Sequence, residues 1–177
     1  MVDLHYPDKK DKIEMFPLID DEGNVMGRAS RAYFHGGSMA LHPVVHLHVF
    51  NNTGEIFLQK RPEWKDIQPG KWDTAVGGHI DYGEIPEDAL LREVREELGI
   101  TTFTPQWLGM YVFESQRERE LVYVYQTVYD GEIRPSEAEL DGGRFWTIDE
   151  IRSAIGKGIL TPNFESEFLR FNEELNR

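Results

Sequence analysis

GHIDYGEIPEDALLREVREELGI, residues 78–100, is the stretch on which the reading of this chain turns. Gly78 is followed by Glu84, then by Arg92, Glu93 and Val94, then by Glu96, Glu97, Gly99 and Ile100. Pro86 suits a first helical position, and Glu87 and Asp88 complement the positive end of a helix. Residues 89–98 are mostly good helix formers, and Gly99 is a natural stop. At about 100° per residue, Leu90, Leu91, Val94 and Leu98 share an apolar arc, with Glu93, Glu96 and Glu97 on the neighbouring arc. An isolated acidic helix face is normally just solvated. Here the full spacing points to chemistry, because carboxylates gathered on one rigid face suit a hard divalent cation, and such a cation suits phosphate. Arg92 stands four residues before Glu96, within pairing reach. Gly78 and Gly83 bracket a loop that offers a main-chain carbonyl as a further ligand.

Working outward, the chain has 177 residues, 40% hydrophobic and 29% charged, which suits one globular domain over 1–177. Its polar start, MVDLHYPDKKDK (1–12), is expected to be a loose segment. No apolar run nears the length of a membrane span and no signal-peptide pattern is present, so a soluble, cytoplasmic protein with no membrane partner is expected. The absence of cysteine excludes disulfides, thiolate metal sites and thiol nucleophiles. A formal net charge of −13 argues against a nucleic-acid polymer as partner. A small anionic substrate then needs a divalent metal or a few well-placed Lys and Arg. A homodimer is one assembly open to such a chain.

Alternation and turn residues predict strands at 13–19, 44–50, 55–60, 72–76, 106–114, 120–130 and 143–147, with turns at 20–24 and 51–54 and a loop at 62–70. Helices are predicted at 28–35, 86–98, 149–156 and 163–175. This mixture fits an α/β sandwich. His42, His46 and His48 share strand parity and are expected to face one side of the sheet. Trp64, Trp72, Trp107, Tyr111 and Phe113 are candidates to stack a base or line a prenyl pocket, although aromatics in strands more often pack in cores.

The 78–100 pattern resembles the Nudix signature G-x5-E-x7-R-E-U-x-E-E-x-G-U, with U apolar, at every position. That resemblance implies an α/β fold of the Nudix type, an α/β/α sandwich with a mixed sheet. It implies a Mg²⁺ or Mn²⁺ site made by Gly78, Glu93, Glu96 and Glu97, with Glu93 doubling as base, Glu97 catalytic and Arg92 orienting the carboxylates. In several Nudix enzymes an acidic residue of a later loop completes the site; Glu137, Glu139 and Asp141 are open candidates here. The implied activity is hydrolysis of a diphosphate linkage in a small molecule, such as a nucleoside diphosphate derivative.

The segments LHPVVHLHVFNNTGEIFLQKRPEWKDIQPGKWDTAVGGHI and RERELVYVYQTVYDGEI resemble a particular branch, the type 1 isopentenyl-diphosphate isomerases and their Nudix relatives. By that resemblance His35, His42, His79, Glu118 and Glu120 match a second divalent-metal site, whose imidazole-rich donors suit Mn²⁺ or Zn²⁺. Arg61 and Lys65 match a diphosphate-binding pair ahead of Pro69-Gly70; a guanidinium fork and an ammonium are suited to that anion. Two departures separate this chain from isomerisation. The isomerases carry an acid cysteine where Gly77 stands here, and an Arg is common there where Glu93 stands. Hydrolysis is therefore the leading expectation. Isomerisation and a non-catalytic diphosphate-binding module are the other two readings.

Overall fold

The computed structural model describes residues 13–175; the expected loose segment at 1–12 lies outside them. A hairpin of β1 (Met15–Ile19) and β2 (Val25–Ser30) leads into α1 (Arg31–His35). The predicted helix at 28–35 is thus corrected. Residues 28–30 pair with β1 instead, Ser30 opposite Met15, and the Ser30 hydroxyl then caps the helix at Tyr33 N.

The main sheet has seven strands. These are β3 (Leu41–Phe50), β4 (Ile56–Lys60), β5 (Trp72–Thr74), β6 (Val76–His79), β7 (Gln106–Glu114), β8 (Arg119–Val128) and β9 (Gly143–Trp146). Its path is β5-β4-β3-β8-β7, with β6 added to β3 and β9 to β4. β3 runs parallel to β8 and antiparallel to β6, so the sheet is mixed. β3 begins three residues before its predicted start, because Leu41, His42 and Pro43 continue the ladder with Arg119, Glu120 and Leu121. The single strand predicted at 72–76 is two. Trp72–Thr74 pairs with β4, and after Ala75 the chain crosses to pair Val76–His79 with β3.

One face of the sheet packs α2 (Pro86–Leu98) through Ala89, Leu90, Val94 and Leu98 against Val45, Leu47 and Val49. The other packs α3 (Ile148–Ala154) and α4 (Pro162–Leu175) through Ile151, Phe164, Phe168 and Phe171 against Val44, Phe50 and Val124. The result is the expected α/β/α sandwich. No described helix is long and apolar enough to cross a membrane.

Candidate active site

Helix α2 starts with Pro86 in its first turn, carries Glu87 and Asp88 there, and stops at Gly99 in the left-handed conformation (φ 67°). Leu90, Val94 and Leu98 are fully buried, but Leu91 is 42% exposed. The predicted apolar arc was therefore drawn one residue too wide; Leu91 sits at its edge, beyond the sheet, and Ala89 takes the buried place.

The carboxylates emerge where the buried face meets an open cavity of about 1640 Å³. Glu93, Glu96 and Glu97 all line it, with Gly78. Glu97 is only 8% exposed. Its Oε2 accepts two long hydrogen bonds, from Gly77 N and Gln59 Nε2, both at 3.4 Å. Burial, followed by the charges of Glu93 and Glu139, pushes Glu97 well above the usual carboxylate range. Burial likewise raises Glu93 to about 7, despite the opposing Arg92 charge. Two desolvated carboxylates that resist ionising, Glu93 and Glu97, with the more exposed Glu96 beside them, are a donor set that a hard divalent cation relieves, so these residues fit such an ion. Gly78 fits as well: a Cβ there would run into the Glu93 carboxyl group.

Arg92 holds this end of the helix together. Its guanidinium donates to both Glu84 oxygens (3.0 and 2.8 Å), to Glu93 Oε1 (2.7 Å) and to the His79 carbonyl (3.0 Å). The pairing foreseen with Glu96 exists at 3.7 Å but is the looser one. Arg92 thus links the signature's first glutamate to its second and to β6, a fork geometry that lysine would not reproduce.

Of the three later-loop acids, Glu139 lines the cavity and its charge acts on both Glu93 and Glu97. Asp141 instead lies 3.8 Å from Lys60. Arg61 and Lys65 line the same cavity. Arg61 Nε donates to the Ile67 carbonyl at 3.0 Å and its Nη1 lies 3.6 Å from Asp73, while the Lys65 ammonium sits 4.9 Å over the Trp64 ring. Arg28 and Arg31 also line the cavity and were not singled out from sequence; nothing in their spacing marks them. Among the five aromatic candidates, Phe113 lines the cavity. Trp72 packs edge-on against Trp146, and Trp107 against Tyr125.

The histidine cluster assembles from four elements. His35 ends α1, His42 is in β3, His79 ends β6, and Glu118 and Glu120 flank the start of β8. His35 Nε2 lies 3.0 Å from His79 Nε2 and 3.3 Å from Glu118, and His42 Nε2 lies 3.8 Å from Glu120. In two overlapping groups, His35–His42–His79 and His42–Glu118–Glu120, the ligand atoms lie within 4.8 Å of one another. Phe16 stacks on His79 at 4.3 Å. Burial holds all three imidazoles below their usual value, His42 to about 4 and His79 well below, so lone pairs are available. Neither His42 nitrogen has a hydrogen-bond partner among the described residues, although both are buried. A buried imidazole orphaned beside two more histidines and two glutamates fits a borderline divalent cation.

The other two histidines of β3 do not join that cluster. His46 and His48 both contact Glu167 of α4, a residue without a sequence signal because its partners lie some 120 positions away.

The family model described as NUDIX domain matches residues 40–164. An isopentenyl-diphosphate Delta-isomerase of Mycolicibacterium vanbaalenii is 38% identical over 90 residues, which is 51% of this chain and 50% of that protein, so the match spans half the isomerase's length. An uncharacterized Nudix hydrolase of Pseudomonas aeruginosa is 30% identical over 132 residues, 75% of this chain and 78% of that one. Among solved structures, DR0079 from Deinococcus radiodurans has a TM-score of 0.76 at 23% identity, covering 89% of this chain and 98% of its own, a likeness of fold. The MutT protein from Methanosarcina mazei Go1 has a TM-score of 0.66 at 26% identity, covering 77% and 96%.

Proposed function

The chain belongs to the NUDIX family, and on that premise we propose that it is a divalent-metal-dependent hydrolase that cleaves a diphosphate linkage in a small molecule, a nucleoside diphosphate derivative or similar. The observation that carries this reading is the convergence of Glu93, Glu96 and Glu97 with Gly78 on the wall of the cavity that Arg61 and Lys65 also line. In this reading residues 1–177 are one Nudix domain acting in the cytoplasm. Its partner is the small-molecule substrate rather than a nucleic-acid polymer or a membrane, with a homodimer as the assembly to test.

Glu93, Glu96, Glu97 and the Gly78 carbonyl would hold Mg²⁺ or Mn²⁺. What such a cation supplies when bound is polarisation of the diphosphate and a water of lowered pKa. Glu93, held by Arg92 at 2.7 Å, is the member of the set that takes the proton of the attacking water. Glu97 is the anchoring carboxylate, fixed by Gly77 N and Gln59. Arg92 contacts no substrate; it aims Glu93. Glu139 is the later-loop acid that completes the set, on the strength of its position in the cavity. Arg61 and Lys65 receive the diphosphate, which an otherwise acidic chain must neutralise locally. His35, His42, His79, Glu118 and Glu120 would hold a second divalent ion.

The test is product analysis on a panel of nucleoside diphosphate sugars and dinucleotides, each cleaved to two phosphomonoesters, and of prenyl diphosphates, cleaved to a monophosphate and inorganic phosphate, with Mg²⁺ and Mn²⁺, comparing the native chain with Glu97→Gln. Undiminished turnover in the variant overturns the assignment. One observation favours a second reading, isoprenoid diphosphate isomerisation: the five residues matched to the isomerase metal site do come together. Gly77 and the lack of any cysteine oppose it. Incubation with isopentenyl diphosphate followed by product NMR separates the two, double-bond migration supporting isomerisation and phosphate release supporting hydrolysis.

A further inference from the structure

Strand β3 presents three histidines on one parity, and the metal cluster uses only His42. His46 and His48 turn to Glu167, which is fully buried. Glu167 Oε2 accepts from His46 Nδ1 at 2.8 Å and from the Tyr111 hydroxyl at 2.5 Å, and its Oε1 accepts from His48 Nε2 at 2.7 Å. Burial alone would raise the Glu167 carboxyl, but the charge and hydrogen bond of His46, and then those of His48, hold it below the usual range.

A buried carboxylate needs one compensating cation. His48 donates to it through Nε2, and its Nδ1 is buried without a partner among the described residues. Tyr111 is a neutral donor, its phenol pushed further up by burial and then by Glu167. His46 supplies positive charge beside the carboxylate. Burial pulls its imidazole down, and the Glu167 charge more than reverses this, to about 9, with smaller help from Glu120 and Asp73.

The other ring nitrogen has somewhere to go. His46 is 8% exposed and lines the cavity, and its Nε2 has no hydrogen-bond partner among the described residues. It lies against Gly77, where a Cβ would stand 3.3 Å from Cδ2 and 3.4 Å from Nε2. A side chain there would crowd this edge of the ring. Gly77 is also the residue whose N–H donates to Glu97, and Glu97 lines the same cavity as His46.

We infer that His46 is an anion-contacting residue of the cavity, donating Nε2–H to a phosphoryl oxygen of the substrate, with Glu167, His48 and Tyr111 as positioning residues behind it. The inference rests on the hydrolase reading only in naming a phosphoryl group as the anion. A ring clamped on one side by a buried carboxylate loses little freedom on binding, which makes it a better fixed donor than a long surface cation.

The probe is methylenediphosphonate, which cannot be hydrolysed, added with Mg²⁺ to the full chain labelled with ¹⁵N-histidine. Near pH 7 the His46 ring should show both nitrogens protonated, and its Nε2 resonance should move on saturation while His48 stays in place. His46→Gln should weaken methylenediphosphonate binding about tenfold by calorimetry. Glu167→Gln should remove the second His46 ring proton and weaken the same binding several-fold, a pairing that a merely structural tie would not produce. An unmoved His46 Nε2 at saturation, a native Kd in His46→Gln, or no binding of the probe at millimolar concentration overturns the inference. Should His46→Gln fail to fold, the titration of the native chain decides. Turnover with an unmoved His46 sinks this inference alone, and a responsive His46 without turnover on any substrate sinks the hydrolase reading alone.

Discussion

Two clusters of candidate ligands border one cavity, one of carboxylates and one mainly of histidines, and they are built in opposite ways. Glu93, Glu96 and Glu97 come from five consecutive positions of one helix, so their arrangement follows from helical periodicity and survives small shifts of the helix as a body. His35, His42, His79, Glu118 and Glu120 come from α1, β3, β6 and the start of β8, and meet only because the sheet has a particular register. His42 stands opposite Glu120 across a parallel ladder, and His79 opposite Val44 across an antiparallel one. A slip of one residue in either ladder would turn a ligand to the other face. The comparison teaches that a site written along a helix is robust and cheap to detect, whereas a site written across a sheet is only as good as the strands that frame it.

The sharpest way to break the comparison is to remove the helix cluster's anchor. Glu97→Gln should lower metal-dependent turnover by on the order of 10³-fold or more, with circular dichroism and melting unchanged. A fold lost along with activity would show that the helix cluster is as dependent on its surroundings as the sheet cluster. Next, calorimetric titration with Mn²⁺ should find two sites, and His42→Ala should weaken one of them by about 100-fold while leaving the other intact. Loss of both would mean the clusters are not separable. Arg61→Ala should raise KM about tenfold with kcat little changed, since it removes substrate binding common to ground and transition states.

The smallest effect concerns pH. His46 has its folded pKa raised above the unfolded value of 6.5 to about 9, so its contribution is complete below 6.5 and is lost as pH rises through about 9. Glu93 and Glu120, raised by burial to about 7, act in the same direction at the bottom of that window, because the folded state holds protons the unfolded chain has released. The metal-free protein should therefore melt at progressively lower temperature from pH 6.5 to 9. His46→Gln should flatten that decline, and a divalent cation should offset the carboxylate part of it.

The same contrast explains what was legible in the sequence. The helix at 86–98 could be drawn to the residue, because proline, an acidic first turn, periodic apolar residues and a terminal glycine all agree. The boundary between β2 and α1 could not, since residues 28–30 belong to β2 only through their partners on β1. Leu91 was assigned to the buried face by angle alone, and only the width of the sheet contact excludes it. Among Glu137, Glu139 and Asp141 the spacing is uninformative; the path of the loop turns Glu139 inward and sets Asp141 beside Lys60. Glu167 was invisible: in FESEFLRF it reads as another polar position of an amphipathic helix, and its partners are on the far side of the chain's length.

Gly77 gives the missing cysteine a different meaning. A Cβ at residue 77 would stand 3.3 Å from the His46 ring, so a substituent there would crowd the imidazole edge that glycine leaves open. Gly77→Cys would thus bring a thiol against the His46 ring, and the two groups would have to share the approach to the cavity that glycine now leaves to the imidazole.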